Sequence, residues 1–545
     1  NNDDFENTFY ENSDYFIIEF DSFHNHSSGF GFAVNSSGVK ADYSMSEDEY
    51  YDDSWDGIWN ASISLNENYW VIEYKIPINN LKFLKSENLT MGINFIRYIY
   101  QNDEYISWVN QSERNDKIVS YFGHLNNIDI NLEKEFLIKP SLSINSFKYD
   151  DYYYSEYSFD ELQENITGLD NWINTKDKIN YSNIGLDINY LIDSNRTLDL
   201  TINPNYNYIN QDPSEINNTA FETYFEENRP FFIDQSTFFY TPIELYYSRR
   251  IGQESIEYKD IYNNVEQYLS FNTSLDGAVK FLGRNNDLSY GIIGAQAKVH
   301  SNIGENFGYN NNKAHYSIFR LKKNIHKINS YIAFLNTNYN FRNDYSHVYS
   351  LDGLLVMFDE KLDFYYQISE SNINKIKGIG QNYEINYKSY PLRIIKKPVF
   401  IESWLKIESY DENFNIDKIG YLYRNNIKNI HSGISFNINH YTKNFLNFSL
   451  VLQNVYSKNY FDVRLKDLSS IELNFELSNF WIFNIGFSES KSNFLDRLYN
   501  DYFRIDYTKI KRNIKVPGES NYYISFETNS RKILSFSMMI DYFKN

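Results

Sequence analysis

The sequence predicts an all-β protein with a partial β-sandwich followed by one very large antiparallel sheet. Short apolar runs bounded by turn residues dominate residues 1–130, as is typical of a sandwich. Runs in which apolar and polar residues alternate fill residues 131–545, and a period of two is that of a strand with one apolar face. Aromatic residues make up 18% of the chain although the mean hydropathy is −0.57. Alternation produces this combination.

Six short strands are predicted in residues 1–130, and residues 66–69 join the third and fourth of them as a hairpin. A stretch rich in Ser, Asp, Glu and Tyr over 43–54 is predicted to be a loop. The chain begins at Asn1 with no Met and enters a domain already under way. We therefore expect the sequence to be a fragment or a processed form.

Residues 131–545 need a place to bury the apolar faces of many long strands, because almost no amphipathic helix is predicted to cover them. A membrane supplies that place, and a closed barrel pairs every backbone group without an exposed edge. About 410 residues, at about ten per strand plus loops, predict a transmembrane barrel of about 16 to 20 strands. A soluble propeller or β-solenoid is the alternative, but no repeat of fixed period is present.

Charge and composition exclude several classes of protein. The formal net charge is −21, which argues against a nucleic-acid partner, because phosphates need a basic surface. The chain has no cysteine, so disulfides, thiolate catalysis and Cys-bound metals are excluded. No run of about 18 apolar residues occurs, so no transmembrane helix is predicted, and no signal peptide is visible.

One stretch, residues 203–252, differs from the alternating strands around it. It holds four of the nine prolines of the chain, and prolines occupy edges, bulges and turns because they cannot donate to a strand ladder. It also clusters acids and arginines among phenylalanines: Glu226, Glu227, Arg229, Arg249 and Arg250. Such pairing favours a folded-back segment with internal salt bridges. The segment is either a structural turn or a constriction inside a barrel.

The first part of the chain resembles the second half of a family 9 carbohydrate-binding module. The motifs that carry the resemblance are the runs at 13–23, 31–42, 55–59, 70–77, 81–83 and 92–97. The first strands of that module are missing here. The resemblance implies a β-sandwich that binds sugars by aromatic stacking, sometimes with structural calcium.

Flat aromatic rings bind sugars because one face of a pyranose is apolar. The candidate carbohydrate-binding residues are Trp55, Trp59, Trp70 and Trp108. Core packing is the alternative for each of them. Trp55 is favoured, because it lies beside Asp52, Asp53 and Asp56 at a predicted junction of loop and strand. These acids could hold calcium or could be a solvated loop, and no other cofactor is predicted.

The stretch at 203–252 is similar to the hallmark of a bacterial outer-membrane barrel family known as domain of unknown function 5916. The motifs are Asn203–Tyr206, 211–213, 221–222, Phe225–Ile233 and Tyr247–Gly252, continued by 277–284. Asn205 departs from the aspartate expected in the family. The resemblance implies a barrel over residues 131–545, preceded by the module over residues 1–130.

Three functions remain open from the sequence. The first is a non-enzymatic outer-membrane barrel that binds or admits glycans and whose N-terminal domain is periplasmic. The second is a surface or periplasmic hydrolase of O-glycosyl bonds, although no pair of carboxylates stands out as catalytic. The third is a structural barrel whose sandwich has lost sugar binding. The expected partners are outer-membrane lipid and a glycan, and the sequence does not predict an oligomeric state.

Overall fold

The structure is a computed structural model of the 545-residue chain. It describes residues 13–22, 28–46, 50–52, 55, 57–67, 69–78, 81, 89–101, 104–109, 119–128, 135–154, 172–193, 195–204, 221–225, 227, 229–233, 235–252, 256–262, 265–285, 287–300, 313–325, 330–359, 361–389, 392–394, 397–439, 445–496, 514–529 and 534–544.

The first part of the chain forms a sheet with the strand order β4-β3-β2-β1-β7-β8, to which β9 adds by pairing with β7, and a separate β5–β6 hairpin. The strands are β1 (Tyr15–Asp21), β2 (Gly29–Asn35), β3 (Lys40–Ser46), β4 (Tyr50–Asp52), β5 (Asn60–Leu65), β6 (Trp70–Lys75), β7 (Leu89–Ile99), β8 (Glu104–Ser107) and β9 (Gly123–Ile128).

The hairpin packs against one face of this sheet, so the domain has two layers there. Phe32, Val34, Trp59 and Leu81 form the buried centre of that contact. The loop predicted over 43–54 is partly wrong, because β3 extends to residue 46 and β4 covers 50–52. The alternating residues of β3 point into a second apolar cluster on the opposite face, and this packing outweighs the polar composition.

The second part of the chain is one large antiparallel sheet. Its strands are β10 (Glu135–Tyr154), β11 (Trp172–Asp193), β12 (Arg196–Ile202), β13 (Ile256–Tyr262), β14 (Val265–Asn285), β15 (Leu288–His300), β16 (Lys313–Ile325), β17 (Ser330–Phe341), β18 (Asp344–Met357), β19 (Leu362–Ile373), β20 (Ile376–Lys388), β21 (Leu392–Ile394), β22 (Lys397–Tyr410), β23 (Ile427–Asn439), β24 (Phe445–Lys458), β25 (Arg464–Leu477), β26 (Ile482–Ser490), β29 (Glu519–Glu527) and β30 (Ser537–Lys544).

These 19 strands follow one another in chain order, and only the small hairpin β27 (Asn493–Leu495) and β28 (Ile514–Val516) stands apart. The short strand β13 pairs with β14 on the same side as β12 does. The short strand β21 likewise pairs with β22 on the same side as β20 does. Without these two short strands, 17 strands form the sheet wall. The predicted all-β class and sheet size are confirmed. Among the described residues, no strand pairing joins β10, the first strand of this sheet, to β30, the last.

The two ends of the sheet differ in the length of their connections. At one end, here called the turn end, chain reversals are short, as at 194–195, 286–287, 326–329, 358–361 and 478–481. At the opposite end, here called the loop end, long connections occur at 155–171, 203–255, 301–312 and 411–426. The chain enters β10 from the turn end.

Helix is rare in the described part of the chain, and its one α-helix, α1 (Pro230–Ile233), lies in the connection after β12. No helix among the described residues is long and apolar enough to cross a membrane.

Candidate functional site

The long connection between β12 and β13 turns back against one face of the large sheet. Its described residues from Phe221 onward, 221–225, 227, 229–233 and 235–252, are here called the re-entrant segment. It contains α1, which starts at Pro230 because a proline at the first helical position loses no hydrogen bond. Two single 3-10 turns follow, at Ser236–Phe239 and Ser248–Arg250. The sheet face that the segment contacts is here called the inner face.

Hydrogen bonds from and to a local ion pair join residues 227–229 of the segment to residues 248–251. The Arg229 guanidinium donates to the Glu227 carboxylate at 2.7 Å and to the carbonyl oxygens of Ser248 and Ile251 at 2.7 and 2.6 Å. The Ser248 hydroxyl also donates to Glu227, at 2.5 Å. Burial raises the pKa of the Glu227 carboxyl, but the ion pair and these hydrogen bonds outweigh it and hold that pKa below its usual range. These four residues are here called the internal clamp.

A lysine on β14 anchors the start of the segment to the inner face. Lys280 Nζ donates to the Phe231 carbonyl oxygen at 2.6 Å and lies 3.4 Å from the Asp199 carboxylate on β12. Both charged side chains are almost fully buried. Buried charges of this kind need partners, and here the segment supplies one of them.

Charged and polar side chains from three further strands anchor the middle of the segment. Arg320 on β16 donates to the Tyr240 carbonyl oxygen and pairs with Asp352 on β18 at 2.6 Å. The Gln367 side chain on β19 accepts from the Ile243 amide at 2.5 Å. We call Lys280, Arg320, Asp352 and Gln367 the wall anchors.

The wall anchors lie deep in the sheet. Each lies five residues from the terminus of its strand at the turn end. These termini are Asn285 of β14, Ile325 of β16, Met357 of β18 and Leu362 of β19. At the rise of a strand this separation is about 17 Å. The segment therefore enters from the loop end and reaches past the middle of these strands. Apolar side chains fill the contact, with Phe232 and Phe239 packed among residues of β14 to β17.

The β22–β23 loop, residues 411–426, packs against both the segment and the sheet. The Tyr247 amide donates to the Ile419 carbonyl oxygen at 2.7 Å, and the Tyr421 amide donates to the Glu244 carbonyl oxygen at 2.9 Å. Position 420 must be glycine, because a Cβ there would lie 2.6 Å from the Glu244 carbonyl oxygen. The segment and the loop thus form one packed unit at the loop end.

The structure brings together most of the charged cluster expected in this stretch. Glu227 and Arg229 form the internal clamp, whereas Arg250 pairs with Glu222 at 2.6 Å and Arg249 is buried. Glu226 lies outside the described residues.

The wall anchors were not predicted from the sequence. Lys280 is a lone polar residue in the apolar run Ala278–Leu282, whereas Arg320, Asp352 and Gln367 occupy polar positions of ordinary alternating runs. Neither pattern shows which polar positions of the strands meet the segment.

The four candidate tryptophans have different environments. Trp59 is 3% exposed and donates to the Asp42 carboxylate at 2.6 Å, so it is a core residue. Trp55 packs partly buried against Phe30, with ring centroids 4.8 Å apart. Trp70 is partly buried at the start of β6. Trp108 is 59% exposed, which makes it the most accessible of the four.

The calcium hypothesis stays a prediction. Asp52 ends β4, but its side chain, Asp53 and Asp56 lie outside the described residues. Among the side chains that the structure describes, no three His, Cys, Asp or Glu residues form a group that could hold a metal ion.

The geometry defines a class of all-β protein in which one large antiparallel sheet holds a re-entrant segment through buried charges. Residues 167–545 match the model of the family described as a domain of unknown function, DUF5916. Because the match covers more than half of the chain, the protein belongs to this family. This confirms the family that residues 203–252 resemble.

Comparison with solved structures gives only distant similarities. The chain is similar to OccAB1 of Acinetobacter baumannii with 7% identity and a TM-score of 0.24, over 98% of this chain and 97% of that one. It is similar to the translocation pore of the P pilus usher PapC with 7% identity and a TM-score of 0.22, over 98% and 96% of the two chains. At these values neither similarity supports a conclusion about this chain. No curated protein matches the sequence.

Proposed function

We propose that this chain is an outer-membrane β-barrel protein whose lumen is closed by the re-entrant segment. The observation that carries the proposal is the inverted packing of the large sheet. On β18, Leu351 is 44% exposed while the adjacent Asp352 is 0% exposed, and on β19, Ile368 is 44% exposed while Gln367 is 0% exposed. Water would favour the reverse arrangement, whereas hydrocarbon around the sheet and a polar interior favour this one.

The two ends of the sheet support an orientation. Outer-membrane barrels have short periplasmic turns and longer extracellular loops. The turn end then faces the periplasm and the loop end faces outward. Because the chain enters β10 from the turn end, the N-terminal domain lies in the periplasm.

The re-entrant segment acts as a plug in this proposal. It fills the space beside the wall anchors and is held by polar contacts that can break and re-form, so its displacement would open a path for a solute. Glycan uptake is the transport function that we propose. The N-terminal domain would bind the glycan on the periplasmic side, with Trp108 as its exposed ring.

The first test is fractionation followed by electrophoresis of boiled and unboiled samples. We expect the protein in the outer-membrane fraction, with a shift in migration on boiling. A soluble protein without a heat shift would overturn the membrane proposal and leave a large soluble β-sheet protein.

The plug has its own test in planar lipid bilayers. Deletion of residues 205–245 is expected to raise the single-channel conductance, because the segment no longer fills the lumen. A variant that lacks residues 528–534, in a turn-end connection, controls for shortening the chain. Unchanged conductance after the first deletion would contradict a plug.

The glycan-binding role of the N-terminal domain is tested with Trp108→Ala. We expect loss of glycan binding to that domain with an unchanged heat shift. Trp59→Ala is the contrasting variant, because removal of a buried tryptophan costs about 3–5 kcal/mol of stability. Glycan binding that survives Trp108→Ala would exclude this ring as the platform.

A further inference from the structure

Two pairs of aromatic rings lie at the loop end, and each pair joins one ring of the re-entrant segment to one ring of the β22–β23 loop. They are Phe221 with Tyr423 and Tyr224 with Tyr421. We propose that these rings form a binding site for a neutral saccharide at the outer mouth of the barrel. The inference rests on the proposed uptake function and names the kind of solute that the mouth selects.

The rings are stacked and still accessible. Phe221 and Tyr423 stack with centroids 4.2 Å apart and planes inclined by 28°. Tyr224 stacks on the buried Tyr247 at 4.9 Å and meets Tyr421 edge-on at 5.0 Å. Tyr423 remains 58% exposed and Tyr224 43% exposed. Stacking on a neighbour fixes the orientation of each ring, so a ligand that packs on the exposed surface orders little additional side chain.

Polar groups around the rings are paired with each other. Arg250 lies 2.6 Å from the Glu222 carboxylate, and Arg424 lies 3.0 Å from the Asp496 carboxylate. The Arg250–Glu222 pair offers a donor and an acceptor side by side, as the neighbouring hydroxyls of a sugar require, whereas the side chains of Arg424 and Asp496 are only 11% and 10% exposed. Glu222 has a side chain that is 44% exposed and can therefore reach a ligand.

The charge balance favours a neutral ligand over a cationic one. Aromatic rings beside free carboxylates would suit a cation, but Glu222 and Asp496 are already ion-paired. Glu244 accepts from the Tyr224 hydroxyl at 3.0 Å. Burial raises the pKa of the Glu244 carboxyl, and the Tyr224 hydrogen bond offsets part of that rise.

The proposed site is formed by the re-entrant segment and the β22–β23 loop, which must stay in contact for the segment to keep its position. The Tyr421 hydroxyl donates to the Glu222 carbonyl oxygen at 2.9 Å, which joins the loop to the segment. A saccharide that contacts both Tyr224 and Tyr423 therefore contacts the re-entrant segment and the β22–β23 loop at the same time. Binding at the mouth would then occur before the segment moves.

The experiment is titration calorimetry on the full chain in detergent micelles. The probes are maltohexaose, cellohexaose and chitohexaose, with tetraethylammonium as the cationic probe. We expect one or more of the sugars to bind, with affinity lowered about tenfold by Tyr423→Ala or Tyr224→Ala and retained by Tyr423→Phe. Phe461→Ala is the matched control, because Phe461 is an exposed ring at the same end outside the cluster.

Four results would overturn the inference. They are binding of tetraethylammonium alone, sugar binding that survives both alanine variants, no binding of any probe, and sugar binding that disappears with Trp108→Ala. The last result would assign all sugar binding to the N-terminal domain. The heat shift of each variant reports the barrel separately, so a failed mouth site and a failed barrel proposal give different results.

Discussion

Arg320 and Asp352 show how single residues hold the re-entrant segment. Their side chains are among the most buried in the described part of the chain, and they pair at 2.6 Å while Arg320 also donates to the Tyr240 carbonyl oxygen. Burying two charges costs several kcal/mol each, and good geometry only offsets this cost. The pair is therefore better explained as an anchor for the segment than as a source of stability.

The first prediction separates these two roles. Arg320→Met should destabilise the protein by about 3–5 kcal/mol, because it leaves Asp352 buried without its cation. The double variant Arg320→Met/Asp352→Leu should recover much of that loss but still have raised conductance, because the anchor to Tyr240 is gone. Urea unfolding in micelles measures the first quantity and planar bilayers the second. Equal losses of stability in the single and double variants would contradict the coupling of the two charges.

The second prediction concerns acid pH and the internal clamp. The pKa of Glu227 is lowered by folding, so its stabilising contribution is complete above the ordinary glutamate pKa of about 4.3. That contribution is lost as the pH falls through the lowered folded value. We expect the wild type to show channel openings only below about pH 4.

Glu227→Gln should show such openings already at pH 7, because glutamine lacks the charge that pairs with Arg229. Recordings in planar bilayers between about pH 3 and pH 7 check both statements. Glu519→Gln is a control, since Glu519 is an exposed residue at the start of β29. Identical pH profiles for the wild type and Glu227→Gln would rule out the clamp as the acid-sensitive group.

At this scale the sequence predicts local pairs better than distant ones. Glu227 and Arg229 are two residues apart, and their charges and proline neighbours indicated a folded-back segment. Gln367 and Ile243 are 124 residues apart, so nothing local connects them. Trp59 is a candidate sugar-binding residue from the sequence, because composition does not show which tryptophan donates to a partly buried carboxylate such as that of Asp42.

The strands of the large sheet follow the alternation in the sequence closely. Apolar residues recur at every second position over 446–452, 471–477 and 481–487, and these runs fall on β24, β25 and β26, apart from Trp481, which lies just before β26. A period of two is a property of each strand alone, so sequence suffices for it. The sequence Asp411-Glu412-Asn413 is typical of a short turn, but it opens a 16-residue loop, because the packing of that loop on the segment is not encoded locally.

The third prediction tests which medium surrounds these strands. Ile368→Arg puts a charge on the exposed apolar face of β19 and should cost about 2–4 kcal/mol in a bilayer. Ile58→Arg is the matched control, because Ile58 is an exposed isoleucine in the N-terminal domain and its change should cost little. Unfolding in lipid vesicles with urea measures both. Equally small costs would mean that Ile368 faces water.

The two unlike ends of the large sheet give the whole molecule a direction. The N-terminal domain precedes the turn end, and the re-entrant segment and the β22–β23 loop both belong to the loop end. Every strand of the wall is antiparallel to its neighbours in the described pairings. Once one connection has been located at the turn end or the loop end, the end at which every other connection lies is therefore known.

The fourth prediction measures this direction with thiol labels, which is simple because the chain has no cysteine of its own. Asp462 and Asn479 are exposed residues of the β24–β25 and β25–β26 turns, at the loop end and the turn end. A membrane-impermeant maleimide should label Asp462→Cys on intact cells and Asn479→Cys only after the outer membrane is permeabilised. The reverse pattern would place the N-terminal domain outside the cell.

The position of the re-entrant segment also sets an order of assembly. The segment follows β12, yet its partners come much later in the chain, with 170 residues between Arg250 and Gly420 and 199 between Glu222 and Tyr421. Contacts of such long sequence separation form late, because the loop they close is long. A chain that stops before β22 therefore has the wall anchors of β14 to β19 but lacks the β22–β23 loop that packs on the segment. Contact between the re-entrant segment and that loop thus reports that synthesis has passed β22.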